Sequence, residues 1–174
     1  MSITQISKRL SSSPQRFPDC CLGISSTLIA HLSSILPKKP TFTVSVGSGS
    51  GLLEALIVNH DENVTVQGVE IGSAVNRYIA EEHMNVVIGG WGLCSAAQQA
   101  TAWMFVYPRD PKLIKKYIDT YGDRPLELIA WLGPKVDWPD YELQFRQSSF
   151  SELTYPDDIG LTPYEVMVIA RRSC

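Results

Sequence analysis

The sequence has little of what several large protein classes require. Four cysteines, Cys20, Cys21, Cys94 and Cys174, stand among 174 residues, and none forms a C-x-x-C pair. The three histidines, His31, His60 and His83, are scattered. This spacing argues against a disulfide framework and offers no ligand pattern, so no metal site is expected. No apolar run approaches the ~20 residues that cross a bilayer, so no membrane partner is expected. Basic residues are not in excess: 15 Lys and Arg face 18 Asp and Glu, a net charge of −3. Such a chain holds no electrostatic attraction for nucleic acid or an anionic membrane. Lys8 and Arg9 precede a Ser- and Pro-rich stretch with no apolar segment. No secretory leader is therefore expected, and a reducing, cytoplasmic setting is.

What remains is an ordinary globular composition, 44% apolar and 19% charged, in a chain long enough for one substantial core. No repeat or linker divides it. Residues 1–22 read as a mobile N-terminal arm, or as a lid over a bound ligand, and residues 23–174 as a single domain. Ile24 to Leu36 has apolar residues at helical spacing, a serine cap and Pro37 as its stop. Thr43 to Val46 suits a central strand. Leu52 to Asn59 is an apolar helix, and Val64 to Glu70 a second strand. Gly72 to His83 reads as a loop or brief helix and Met84 to Ile88 as a third strand. Thr101 to Tyr107 is a fourth strand, Leu113 to Tyr121 an amphipathic helix with wet lysines, and Leu126 to Leu132 a fifth strand. Asp137 to Phe145 reads as a short helix. Its aromatic and acidic cluster suits either substrate binding or the anchoring of a loop. Phe150 to Tyr155 and Glu165 to Arg171 are the last two strands, paired as a hairpin.

The chain is organised around Val46-Gly47-Ser48-Gly49-Ser50-Gly51-Leu52. Three alternate glycines between a strand and a helix make a sharp turn that lets a ligand approach the backbone. The helix start adds free N–H groups and partial positive charge. Leu52 takes the place of the third glycine of a dinucleotide fingerprint, and no lysine completes a P-loop. Glu70 ends the second strand, where an acid accepts hydrogen bonds from ribose hydroxyls. The alternative is a solvated strand-end acid. Together these features point to an adenosine-type ligand without a bound pyrophosphate.

The GxGxG turn and the Val66-Gln67-Gly68-Val69-Glu70 run resemble the cofactor motifs of class I S-adenosylmethionine-dependent methyltransferases. The resemblance extends over roughly Thr41 to Arg171 as an order of elements. The GSGSGLLE run, Trp103 to Arg109 and the Trp131 to Trp138 stretch are also similar to fungal methyltransferase-like proteins of unassigned role. The implied fold is α/β and Rossmann-like, a mostly parallel seven-stranded sheet flanked by helices with the last strand antiparallel. The implied cofactor is S-adenosyl-L-methionine. It would be held by Ser45, Gly47, Ser48, Gly49, Gly51, Glu70, Ile71, Gly90 and Trp91. Ser45 occupies the position where the family usually carries an acid. Trp91 reads either as a stacking partner for the adenine or as a core residue.

In that fold the acceptor meets the methyl group at the end of the fourth strand. Tyr107, Arg109 and Asp110 are the catalytic candidates, with Arg109 suited to clamp a carboxylate. Asp110 followed by Pro111 also reads as a helix N-cap. The Asn/Asp-Pro-Pro-Tyr run of some members is absent. The expected activity is methyl transfer to a small-molecule acceptor, in a monomer or in a homo-oligomer that completes an open pocket. The alternative is a methyltransferase-like domain that no longer methylates, serving as a binding or scaffold module or isomerising or cyclising a metabolite.

Overall fold

The computed structural model describes residues 1–174. In chain order the elements are α1 (Ile3–Arg9), β1 (Gln15–Phe17), β2 (Cys20–Ile24), α2 (Ser26–Ile35), β3 (Thr43–Val46), α3 (Leu52–His60), β4 (Val66–Glu70), β5 (Met84–Val86), β6 (Ala102–Val106), α4 (Pro111–Tyr121), β7 (Leu128–Pro134), α5 (Trp138–Arg146), β8 (Glu152–Thr154) and β9 (Glu165–Arg171). Short 3-10 turns at Glu81–His83 and Ser95–Gln98 fill two of the connections.

Seven strands form one sheet in the order β5-β4-β3-β6-β7-β9-β8. β5, β4, β3, β6 and β7 run parallel, and β9 runs antiparallel to both of its neighbours. The mixed, mostly parallel sheet is the one expected, with the final hairpin in place. β3 is buried at all four residues, Thr43 and Ser45 included, as befits a central strand covered on both faces. Its neighbours on the two sides, β4 and β6, are reached by crossovers in opposite directions, so the strand order reverses at β3. A crevice opens at the carboxyl ends of strands at such a reversal.

The two faces of the sheet are covered differently. Under α1, α2 and α3 the core is aliphatic, with Leu28, Leu32, Leu53, Leu56, Ile57, Met104 and Leu132. Under α4 and α5 it is aromatic, with Trp103, Phe105, Tyr117, Trp131, Trp138 and Phe145. Trp103 stands edge-on to Phe105 and Tyr117, with ring centroids 6.4 and 5.6 Å away, the geometry that favours aromatic contacts. Trp138 and Tyr141 are 7% and 3% exposed and pack on Trp131. Their cluster therefore anchors α5 to the sheet.

The N-terminal segment differs from expectation. In place of an arm, residues 1–22 form α1, β1 and the start of β2. Ser2 and Gln5 make a reciprocal capping box at α1, and Ile6 is 5% exposed within the aliphatic core. β1 and β2 pair antiparallel. This hairpin and α1 close over the same core as residues 23–174, which is why the segment is structured.

Candidate active site at the carboxyl ends of β3 and β6

The turn after β3 is shaped by three left-handed glycines, Gly47, Gly49 and Gly51, with φ of 75°, 58° and 81°. A side chain is strained in that region whatever the space around it. Gly51 is also crowded: an added Cβ would stand 2.6 Å from Ile79 Cγ1 and 2.8 Å from Asn76 Oδ1. At Gly47 and Gly49 an added Cβ would meet nothing within 4 Å. The backbone there faces open space. The turn is pinned from beneath, where Gly47 and Ser48 N–H groups donate to Val69 O at 2.9 and 3.1 Å. Ser48 Oγ is buried without a partner.

Glu70, half-buried at the end of β4, accepts the Gly49 N–H on Oε2 at 2.8 Å and the Ile71 N–H on Oε1 at 3.3 Å. A carboxylate offers about four lone-pair directions, so further donors can be accommodated. Ser45 is 1% exposed and reaches no open surface; its hydroxyl donates to Glu54 Oε2 at 2.5 Å. Glu54 comes from the third residue of α3 and is 3% exposed. Burial pushes its carboxyl up to about 7, with the Glu70 charge adding to the effect and the Ser45 hydroxyl opposing it. A carboxyl from the helix thus stands against Ser45 beneath the turn. The sequence signal for it is a lone charge in the apolar run Leu52 to Val58.

The β1–β2 hairpin walls the other side. The Asp19 carbonyl accepts from Ser50 Oγ at 3.0 Å, and the Asp19 carboxylate lies 3.7 Å from Arg77. Cys20, beside Glu54, has its thiol pushed up to about 12 by burial and then by the Glu54 charge, which keeps it protonated.

At the end of β6, Tyr107 has φ of 49°, a conformation seldom held by a residue other than glycine. Its N–H donates to Leu132 O at 2.7 Å. Its hydroxyl donates to Glu165 Oε2 at the start of β9. Glu165 is 3% exposed and also accepts from Thr162 Oγ1 at 2.7 Å and from the Gly23 N–H of β2 at 3.3 Å. Val46 of β3 pairs with Phe105 of β6, so Tyr107 emerges beside the glycine turn. Burial, followed by the Glu165 carboxylate, pushes the Tyr107 phenol upward.

No protein-family model matches the sequence, and no curated protein sequence matches it. Solved structures do. The precorrin-6y C5,15-methyltransferase of Geobacter metallireducens matches with a TM-score of 0.64 at 12% identity, over 92% of this chain and 94% of that one. The methyltransferase domain of bacterial CtHen1 matches with a TM-score of 0.61 at 12% identity, over 85% of this chain and 96% of that one. The S-adenosylmethionine-dependent methyltransferase SibL matches with a TM-score of 0.61 at 14% identity, over 85% of this chain and 54% of that one. The fold is that of the class I S-adenosylmethionine-dependent methyltransferases. At such identities the likeness is one of architecture.

Within this methyltransferase fold the predicted residues fall into two groups. Gly47, Ser48, Gly49, Gly51 and Glu70 come together at the crevice, with Ser45 beneath them through Glu54. Ile71 and Trp91 lie outside that knot, 54% and 49% exposed, and Gly90 is exposed beside Trp91. Trp91 is not a core residue. Lys116 of α4 lies 5.9 Å from its ring centroid and donates to its carbonyl at 2.7 Å. Of the catalytic candidates, Tyr107 is at the crevice and Arg109 is exposed beyond it. Asp110 caps α4 by accepting the Lys112 N–H at 2.9 Å. Glu54, Glu165 and Arg16 are the residues that the sequence reading missed.

A groove of about 600 Å³ lies at the opposite edge of the sheet, by Thr101, Leu128 and Arg171. Its Arg124 is paired with Glu127, and its Arg172 is spent on the Leu126 and Gly122 carbonyls. The chemistry-bearing residues gather at the carboxyl edge instead.

Proposed function

We propose that this chain is an S-adenosylmethionine-dependent methyltransferase acting on a small-molecule acceptor, akin to the fungal methyltransferase-like proteins of unassigned role that its GSGSGLLE run resembles. The observation that carries this reading is the pairing of a left-handed glycine turn with the Glu70 carboxylate at the strand-order reversal. The open space over Gly47 and Gly49 fits a ligand lying on the turn.

Glu70 would accept the ribose hydroxyls, and the open face over Gly47 and Gly49 would carry the amino-acid part. Glu54, backed by Ser45, places a second carboxyl beneath that turn, suited to a cationic group. When bound, S-adenosylmethionine supplies a methyl group as an electrophile. Alignment of the acceptor against it supplies much of the rate in such a transfer. The net negative charge favours a small acceptor over nucleic acid.

The test is calorimetric titration with S-adenosylmethionine and S-adenosylhomocysteine, in wild type and Glu70→Ala. Micromolar binding is expected, weakened about tenfold or more in the variant through loss of charge-assisted hydrogen bonds. Circular dichroism controls for folding. A folded wild type that binds neither compound would sink the reading and favour a module that no longer methylates.

A further inference from the structure

The Tyr107 end of the crevice has a composition of its own. Glu165 accepts from Tyr107, Thr162 and Gly23, so every recorded contact on it is a donor. With its proton committed to Glu165, the Tyr107 oxygen keeps its lone pairs for a donor arriving from the crevice. Arg16 of β1 stands over this pair. It donates to the Tyr164 hydroxyl at 2.6 Å and lies 5.8 Å from that ring centroid, and Tyr164 precedes Glu165 in the chain. It forms no ion pair, since the five in the chain involve other residues. A guanidinium has five N–H donors, so most of this one's are free. Tyr107 is also held in a left-handed conformation, and such strain is retained where the surrounding structure fixes a side chain in place.

We propose that Arg16, Tyr107 and Glu165 form the acceptor site, and that it takes a small acid carrying a hydroxyl next to its carboxylate. The proposal rests on the methyltransferase reading. The carboxylate docks on Arg16, a pairing that guanidinium geometry favours. The neighbouring hydroxyl donates to the Tyr107 oxygen, because Tyr164, which holds Arg16, adjoins Glu165, which holds Tyr107. In the transfer, an electron pair of the acceptor oxygen forms the new bond to the methyl carbon. The pair of the breaking carbon–sulfur bond stays on sulfur, and the sulfonium becomes a sulfide. The acceptor's proton moves to the Tyr107 oxygen while the Tyr107 proton moves to Glu165; once product leaves, the proton passes back through Tyr107 to water in the crevice. Glu165 acts through Tyr107 and is therefore a positioning and proton-holding residue.

The experiment is calorimetric titration of protein saturated with S-adenosylhomocysteine. The probes are 2-hydroxybenzoate and mandelate, their amides, and their O-methyl ethers. Saturable binding of at least one hydroxy acid is expected, with its amide and its ether each about tenfold weaker or worse. Arg16→Gln, an exposed substitution compatible with folding, is expected to erase the preference for acid over amide. Tyr107→Phe is expected to erase the preference for hydroxyl over ether. Equal binding of acids and amides, or no binding of either acid, overturns the proposal. The S-adenosylhomocysteine titration is read separately. If that compound binds and the probes do not, this site falls and the methyltransferase reading stands. If the probes bind with these preferences to protein that takes no S-adenosylhomocysteine, the methyltransferase reading falls and the hydroxy-acid site stands.

Discussion

Replacing Glu54 with glutamine isolates the energy stored beneath the glycine turn. Glu54 is 3% exposed, and its carboxyl is raised from an ordinary 4.5 to about 7, chiefly by burial. In the unfolded chain the group ionises near 4.5, while in the folded protein it keeps its proton until about 7. Between those values the folded state binds more protons, so stability falls as pH rises. The effect is absent below 4.5 and complete above about 7. At ~1.4 kcal/mol per pH unit the whole interval amounts to about 3 kcal/mol. Glutamine keeps an oxygen for the Ser45 hydroxyl and carries no charge at any pH. The variant is therefore expected to match wild type near pH ~4.5 and to exceed it by about 3 kcal/mol at pH ~8. In thermal melts the gap widens by roughly 6–12 °C for a chain of this size. Urea denaturation followed by tryptophan fluorescence suits the measurement, because Trp103 and Trp131 are buried and report on the core. A gap that stays flat between those pH values would refute the reasoning, since it would mean that Glu54 is ionised without penalty in the folded state.

Three further outcomes are expected. Gly51→Ala forces a side chain into a left-handed turn against Ile79, and should cost ~1–3 kcal/mol in urea denaturation while weakening S-adenosylhomocysteine binding. Asp110→Ala removes the α4 cap and should cost ~1 kcal/mol with cofactor affinity unchanged; a large loss of affinity would reinstate Asp110 as a site residue. Trp103→Ala empties the centre of the aromatic layer and should cost ~3–5 kcal/mol in the same assay.

The glycine turn and Glu70 were legible in the sequence because they lie within one strand–helix–strand unit, and their residue types announce their backbone geometry. The sheet was legible for a similar reason, since its parallel strands are short apolar runs between helices. α1 was not read, although Ser2 and Gln5 spell a capping box, because its few apolar residues show no clear face until they meet α3. The hairpin was not read because its strands are short and do not alternate. Glu54 looked like any polar residue on a helix until Ser45 and Cys20 closed over it. Glu165 looked like the polar start of a strand, and only the fold brings Gly23 and Tyr107 to it.

That convergence on Glu165 bears on how the chain becomes competent. Glu70 and the Gly49 N–H are 21 residues apart, so the glycine-turn end of the crevice is assembled from one local stretch. Glu165 and Gly23 are 142 residues apart, and Glu165 and Tyr107 are 58 apart. Contacts of such separation form late, after the cost of closing long loops has been met. The Tyr107 end of the crevice is therefore completed only when β9 slots between β7 and β8. A chain still short of that strand would hold the glycine turn and Glu70 and leave Tyr107 without its carboxylate, so on the proposed reading the site would be whole only once the sheet is.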